Sequence, residues 1–371
     1  MFDWLESFQT LAAPYTFIIA GFILGWLNKF STKDIYDIRR LIYLVPMAAM
    51  LLREIAISKF SLNTWMSFFH AIIIQVCLHI LTFIYSLIFH KDEKISVKFI
   101  KMSIAICETD HIYYTYPLSS YMFPSGFTIY AALATLVQFT LVIPFHQILA
   151  LYFVENGVLK LASTKGRQED EKEKSSIKKP DEPSEFSAET SGTAQVLNPE
   201  PLLGTPEVKK PKYSRKILIF FSFVNQFTIF ALLGIIWSVI GKTFPEFLDT
   251  YIGRLEMGTY AAGLFCNGVV MWYHSFKGAP VLDLIFSIIC HFCVSPALSG
   301  AFSVLLKQDK EVTKYLLFAN IAPTSIYGYQ LSQNLMFGES VISYTLYWTS
   351  FLILPVNLIL TAILNLTKLF D

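Results

Sequence analysis

The sequence predicts an all-α multi-pass membrane protein, and three observations carry that prediction. Of 371 residues 54% are apolar and 15% charged, and the mean hydropathy is +0.50, whereas roughly a quarter of a soluble chain is charged. The charge is also segregated, because residues 155–216 hold 23 of the 57 Asp, Glu, Lys and Arg and leave 34 for the other 309 positions. The remainder divides at polar breaks into ten apolar stretches, each near the ~20 residues that cross about 30 Å of hydrocarbon.

These stretches run over 10–27, 36–57, 64–89, 99–122 and 126–153, then 216–241, 255–273, 279–305, 314–335 and 340–366. Residues 1–9 carry Asp3 and Glu6 but no basic side chain, so the first stretch is expected to remain as a span rather than act as a cleaved signal peptide. Residues 160–213 mix Lys/Glu runs with Ser, Pro and Thr, too polar to offset the entropy of ordering, and read as a disordered cytosolic linker. The linker separates an N-terminal membrane unit, 1–159, from a C-terminal one, 214–371, of five spans each. With an odd number of spans per unit, halves of shared architecture must be inverted relative to each other. Proline placement fits such a repeat: Pro117 in span four matches Pro323 in span nine, and Pro144 in span five matches Pro355 in span ten. Basic residues near span ends, Arg39 and Arg40 among them, place the linker in the cytosol and both termini outside or in a lumen. That assignment rests mainly on the linker flanks, Lys160 and Lys209 to Lys216.

A net charge of +1 supplies no long-range field for nucleic acid. Cys77, Cys107, Cys266, Cys290 and Cys293 all lie in apolar stretches and read as small buried hydrophobes. No HExxH, Walker loop or nucleophile triad is present, so neither enzyme activity nor a cofactor is expected. A zinc reading of Cys290, His291 and Cys293 lacks further ligands at suitable spacing. Asn365-Leu366-Thr367 is a glycosylation sequon set against the last span, where its use is not expected.

The chemistry is concentrated in span four, where Cys107-Glu108-Thr109-Asp110-His111 precedes Tyr113, Thr115 and Pro117. Ionisable side chains at mid-membrane cost about 3 kcal/mol each on insertion scales and are tolerated where they face protein or water. Glu108 and Asp110 are therefore candidate coupling or selectivity groups, with His111 as a polar contact; the bland alternative places them in a wet loop. Pro117 frees a carbonyl one turn earlier, which a broken helix lining a cavity can accommodate. Span nine repeats the pattern without acids: Asn320, Pro323, Thr324, Ser325, Tyr327 and Gln330, of which Asn320 and Gln330 exceed what plain helix packing needs. In span three Gln75, His79, Thr82 and Ser86 fall on one helical face. With Gln138 and His291 they read first as interhelical hydrogen-bonding glue, and Gln75, His79 and Gln138 second as supporting polar contacts of a site.

In order and spacing these motifs resemble the auxin efflux carrier, or PIN-like, family of membrane transporters. Ala13-Pro14 with Gly21 and Gly25 resembles its first helix, and Leu41 to Pro46 its second. Residues 107–118 resemble the fourth, Asn320 to Gln330 the ninth, and Gly338-Glu339 with Pro355 the tenth. The likeness covers nearly all ten spans and stops at the linker. It implies ten transmembrane helices as two inverted five-helix repeats with broken crossing helices four and nine. Helices one, two, six and seven would form a scaffold and homodimer surface, and the others would carry a small organic anion by an elevator-like motion. Pro117 and Pro323 would mark the crossover, beside Asp110 and Asn320. The chain departs from the pattern at Asp110, where an asparagine is usual, and at Ile112 and Thr115, which replace glycines. An ionised Asp110 repels a carboxylate a few ångströms away, so the acid pair is read as holding a coupling proton or a cation. Rival readings are a sodium-coupled symporter resembling the bile-acid carriers, a non-transporting membrane sensor or scaffold, and an intramembrane enzyme. Plasma membrane and endoplasmic reticulum are both compatible with the sequence.

Overall fold

The polar breaks of the sequence become helix ends. The structure, a computed structural model, describes residues 4–367 apart from 59, 91–92, 118–121, 124–125, 156–219, 221, 242, 274–279 and 336. The linker expected over 160–213 lies outside the described residues. In chain order the helices are α1 (Trp4–Trp26), α2 (Thr32–Leu44), α3 (Pro46–Ile57), α4 (Leu62–Ile88) and α5 (Ile95–Cys107). After a π-helical turn over His111–Thr115 come α6 (Thr128–Val137), a second π-turn (Gln138–Val142) and α7 (Ile143–Glu155). The second half comprises α8 (Gln226–Ile240), α9 (Glu246–Tyr273), α10 (Val281–Ile289), a third π-turn (Cys290–Val294), α11 (Ser295–Leu305), α12 (Lys310–Ala319), α13 (Ile326–Leu335) and α14 (Glu339–Thr367). Among the described residues, four helical stretches are long and apolar enough to cross a bilayer: Leu62–Ile88, Thr128–Phe153, Val281–Leu305 and Ser340–Leu364.

Helix starts follow from capping chemistry. Ser31 and Asp34 form a reciprocal capping box on α2, as Ser61 and Thr64 do on α4, satisfying backbone donors that have no partner within the helix. Outer faces are apolar at helical spacing: Val76, Ile80 and Phe83 on α4, and Ile229, Leu232, Ile236 and Val239 on α8, are all exposed. In water such stripes are costly; against acyl chains they are at home. Buried positions carry the polar groups, including Glu54, Glu108, Asp110, Gln138, His146, His291 and Asn357.

Prolines explain most of the irregular backbone. The second and third π-turns each end two residues before a proline, Pro144 and Pro296. A proline ring clashes with the upstream carbonyl and offers no N–H, and widening the turn relieves the clash. In the widened register Ile143 donates to the Gln138 carbonyl, so the carbonyl of Phe139 faces the missing donor of Pro144. Asn225 Nδ2 supplies the bond at 2.7 Å, while Asn225 Oδ1 caps α8 by accepting from Phe227 and Thr228. Next to it Gln226 Nε2 donates to the Tyr43 carbonyl, 2.7 Å away, where the second stretch breaks at Pro46 into α2 and α3. Polar breaks alone leave 36–57 as one continuous stretch, and the proline divides it.

Two close helix pairs organise the packing. Gly21 of α1 and Gly268 of α9 face each other's backbones so closely that an added Cβ would overlap Phe265 O or Ile18 O respectively. Gly234 of α8 sits the same way against Leu52 O and Ile55 of α3. Small residues permit this backbone approach, which is how helices gain dispersion contacts in lipid. α4 packs on α5, and α11 on α12.

Candidate functional site

α5 stops at Cys107 and α12 stops at Ala319, and the strands of chain that follow pair with each other. Asp110 N–H donates to the Pro323 carbonyl at 2.8 Å, and Ser325 N–H donates to the Glu108 carbonyl at 2.7 Å, forming an antiparallel bridge between Thr109 and Thr324. Each broken helix thereby satisfies backbone groups of the other, which apolar surroundings require. Pro323 lies in this break. Pro117 does not: the chain opens at residues 108–110, and Pro117 follows the π-turn over His111–Thr115. The position of the opening is set by the bridge rather than by the proline.

Both acids sit at the bridge, fully buried. Asp110 is 3% exposed; its Oδ1 accepts from Tyr113 N–H at 2.9 Å, capping the π-turn, and its Oδ2 accepts from Asn267 Nδ2 of α9 at 3.3 Å. Glu108 Oε1 lies 2.7 Å from His146 Nδ1 of α7. Its Oε2 has no hydrogen-bond partner among the described residues and rests against Gly328, where an added Cβ would sit 3.1 Å away. His111 Nε2 meets Thr109 Oγ1 at 2.7 Å, and its Nδ1 is unpartnered among the described residues, as is Asn267 Oδ1. Buried polar groups without partners are few in folded proteins, and three of them flank one bridge.

The other predicted residues separate into two groups. Thr324 is central: its hydroxyl donates to the Ala105 carbonyl at 2.8 Å, and its N–H donates to Thr349 Oγ1 of α14 at 3.1 Å. Tyr327 is also there, its hydroxyl 2.5 Å from that of Tyr113, with Met47 Sδ against both. Asn320 instead ties down the end of α12: its Nδ2 donates to Ser299 Oγ and to the Leu316 carbonyl, and its Oδ1 accepts from Ser295. Among the described residues Gln330 joins none of the hydrogen bonds at the bridge. Gln138 is buried at the start of its π-turn. The α4 stripe faces protein: His79 meets His146, and Thr82 meets Ser103 of α5. The Gln75 carbonyl faces His79 Nδ1 at 2.7 Å.

Four side chains that the sequence reading did not assign to the site converge on it. His146 has been described. The π-turn in the eighth stretch aims His291 between the two breaks, its ring nitrogens 3.0 Å from the Ala105 carbonyl and 3.1 Å from that of Ala322. Asn267 reaches Asp110 from α9. Arg39 of α2 is 2% exposed, with Nη1 3.4 Å from the Ile326 carbonyl and Nε 3.3 Å from that of Ile35. It forms no ion pair among the described residues. Gly263 of α9 makes room for the Tyr113 ring, which an added Cβ would overlap.

The arrangement is a sealed, polar seam in an apolar protein: two carboxyl groups, three imidazoles and one guanidinium around a short stretch of extended chain. Such a seam suits recognition and proton movement. A search of curated proteins finds no match to the chain. The sequence profile described as Membrane transport protein matches residues 7–361, which is nearly the whole length, and the chain therefore belongs to this auxin efflux carrier or PIN-like membrane transport family.

Proposed function

We propose that the protein is a ten-span secondary transporter that moves a small organic anion or weak acid across a membrane, with the solute bound at the crossing of spans four and nine. The observation that carries this reading is the Thr109–Thr324 bridge, with buried Glu108, Asp110 and Arg39 beside it. Discontinuous helices in transporters expose backbone groups and helix ends to a solute at the bilayer midplane. Arg39 supplies the positive charge that an anion needs, since a buried guanidinium without a carboxylate is costly and a bound anion removes that cost. Asp110 and Glu108 then serve the coupling role, entering the cycle protonated with the solute so that like charges do not meet.

The packing supports an inverted repeat. A two-fold relation that exchanges spans one with six and two with seven also exchanges the α1–α9 contact with the α3–α8 contact, and in both a glycine meets the backbone of the facing helix. Those spans would be the scaffold and the homodimer surface, while spans three to five and eight to ten would move as an elevator. The protein is integral to the membrane and multi-pass, with a cytosolic linker and termini on the far side.

The test is flux in proteoliposomes with a panel of labelled weak organic acids, with and without an imposed pH gradient, comparing the native chain with Asp110→Asn. The expected result is flux that follows the gradient in the native protein and loses that dependence in the variant. Flux of equal rate and equal gradient response in both would remove Asp110 from the coupling path.

A further inference from the structure

We infer that the narrow cavity between α3, the first π-turn and α6 is the closed passage to the crossing, that Glu54 is its latch, and that a weak acid passes it uncharged. Its apolar wall is made by Met47 and Leu51 of α3, Ile112 of the π-turn and Ala132 of α6. Met47 and Glu54, both lining it, are seven residues apart, so it runs about 10 Å along α3. At the Met47 end it touches the crossing: Met47 Sδ accepts from the Tyr113 and Tyr327 hydroxyls, and Ile112 is two residues from Asp110. Thr128, Ala132 and Thr135 follow at helical spacing on one face of α6. With Thr128 against Glu54, Thr135 lies two turns deeper. The space left has room for about one water, so no solute passes until α3 and α6 part.

The other end is closed by charge. Glu54 Oε1 accepts from Arg53 Nη1 at 2.7 Å, and Glu54 Oε2 accepts from Thr128 Oγ1 at 2.5 Å. Arg53 also holds Asp249 at 2.7 Å and Glu256 at 3.1 Å. The Tyr116 hydroxyl hydrogen-bonds to the Glu54–Glu256 pair, and Tyr260 donates to Glu256 at 2.8 Å. Glu54 therefore both lines the cavity and ties α3 to α6. This end meets water: α9 begins at Glu246, ahead of the apolar stretch 255–273, with Glu246 and Arg254 exposed and the Asp249 side chain 41% exposed.

The mouth also selects by charge. It sets three carboxylates, Glu54, Asp249 and Glu256, against one guanidinium, and a solute carboxylate at a few ångströms is repelled. The apolar wall behind it disfavours a charge of either sign. A carboxylic acid that keeps its proton meets neither obstacle. Inside, the Thr135 hydroxyl is buried and without a hydrogen-bond partner among the described residues, a donor and acceptor for a neutral carboxyl. Arg39 stands at the crossing beside the Ile326 carbonyl, so the anionic form is favoured only once the passage has been crossed.

The inference rests on the transporter reading only for what passes, and the latch can be tested without a solute. Full-length protein carrying Cys77→Ser, Cys293→Ser and Thr135→Cys is placed in lipid nanodiscs and treated with water-soluble methanethiosulfonates, one cationic and one anionic, each rate taken relative to that with a free thiol. The same chain without Thr135→Cys keeps buried Cys107, Cys266 and Cys290 and reports any loosening of the fold. Adding Glu54→Gln is expected to speed labelling at position 135 about tenfold or more, the scale of one lost charge-assisted hydrogen bond, with the three buried cysteines unchanged. Thr128→Val, which removes one hydroxyl and no charge, should act in the same direction, and in that chain the cationic reagent should label about tenfold faster than the anionic one. If Glu54→Gln also exposes the buried cysteines it has unfolded, and Thr128→Val decides. Native-rate labelling in Thr128→Val, or in a folded Glu54→Gln, overturns the latch, and equal rates for the two reagents overturn the selection against carboxylates. If the latch responds as expected but weak-acid flux is absent, the transporter reading fails and the passage stands. Flux that continues after a bulky reagent fills position 135 has the opposite meaning.

Discussion

At the scale of single residues, the seam at the bridge is defined by which charges have partners. Asp110 is held by Tyr113 N–H and Asn267, and Glu108 by His146, whereas among the described residues Arg39 has two long bonds to carbonyls. A charge-assisted hydrogen bond to a bound anion is worth about 2 kcal/mol, so, on the proposed function, Arg39→Gln is expected to lower apparent affinity for the proposed anionic solute roughly tenfold or more, with Arg39→Lys falling in between because it keeps the charge but not the fork. Concentration dependence of flux in proteoliposomes reads this directly; unchanged affinity in Arg39→Gln would place the anion elsewhere.

At the scale of elements, prolines do the shaping and distant amides repair the consequences. Pro144 widens α6–α7 into a π-turn, and the carbonyl it strands on Phe139 is taken by Asn225, which also caps α8. One side chain thus joins the two halves of the chain on either side of residues 156–219. Asn225→Ala removes a cap and leaves a buried carbonyl without its donor, for an expected loss of about 2 kcal/mol. Thermal unfolding in detergent should show a lower midpoint, and Asn225→Asp, which keeps the cap but turns a carboxylate oxygen onto the Phe139 and Ser222 carbonyls, should not restore the native midpoint.

For the molecule as a whole, the scaffold and the carrying part of the proposed elevator touch at a polar contact near one end of α3. Arg53 bridges Glu54 to Asp249 and Glu256 of α9, and Glu54 Oε2 accepts from Thr128 of α6 at 2.5 Å. If spans three to five slide against two and seven, this last contact must part in each cycle, whereas the α1–α9 seam stays closed. A short thiol-reactive bridge between Glu54→Cys and Thr128→Cys, made with Cys77→Ser and Cys293→Ser, is expected to stop flux until it is cleaved. Flux that persists in the bridged protein would rule out relative motion at this contact.

Much of this architecture is already written in the order of the residues, because a bilayer imposes length. The ~20-residue span requirement makes apolar stretches countable, and the ends of α4, α10–α11 and α14 lie close to the expected limits. Charged residues in such stretches draw attention for the same reason of cost, so Glu108 and Asp110 stand out before any fold is known. Sequence proximity offers no comparable signal for His146, Asn267, His291 or Arg39. His146 and Asn267 lie within apolar runs, His291 reads as helix-packing glue, and Arg39 reads as an ordinary basic flank of a polar helix until α13 covers it. Where helix four opens was equally hidden, since Pro117 marks only a missing donor, while the opening sits where residues 108–110 find donors and acceptors on residues 323–325. Local rules of burial and propensity act within a segment and can be read along the chain; pairing between segments depends on packing in three dimensions, and only there do the acids acquire their imidazole, amide and guanidinium neighbours.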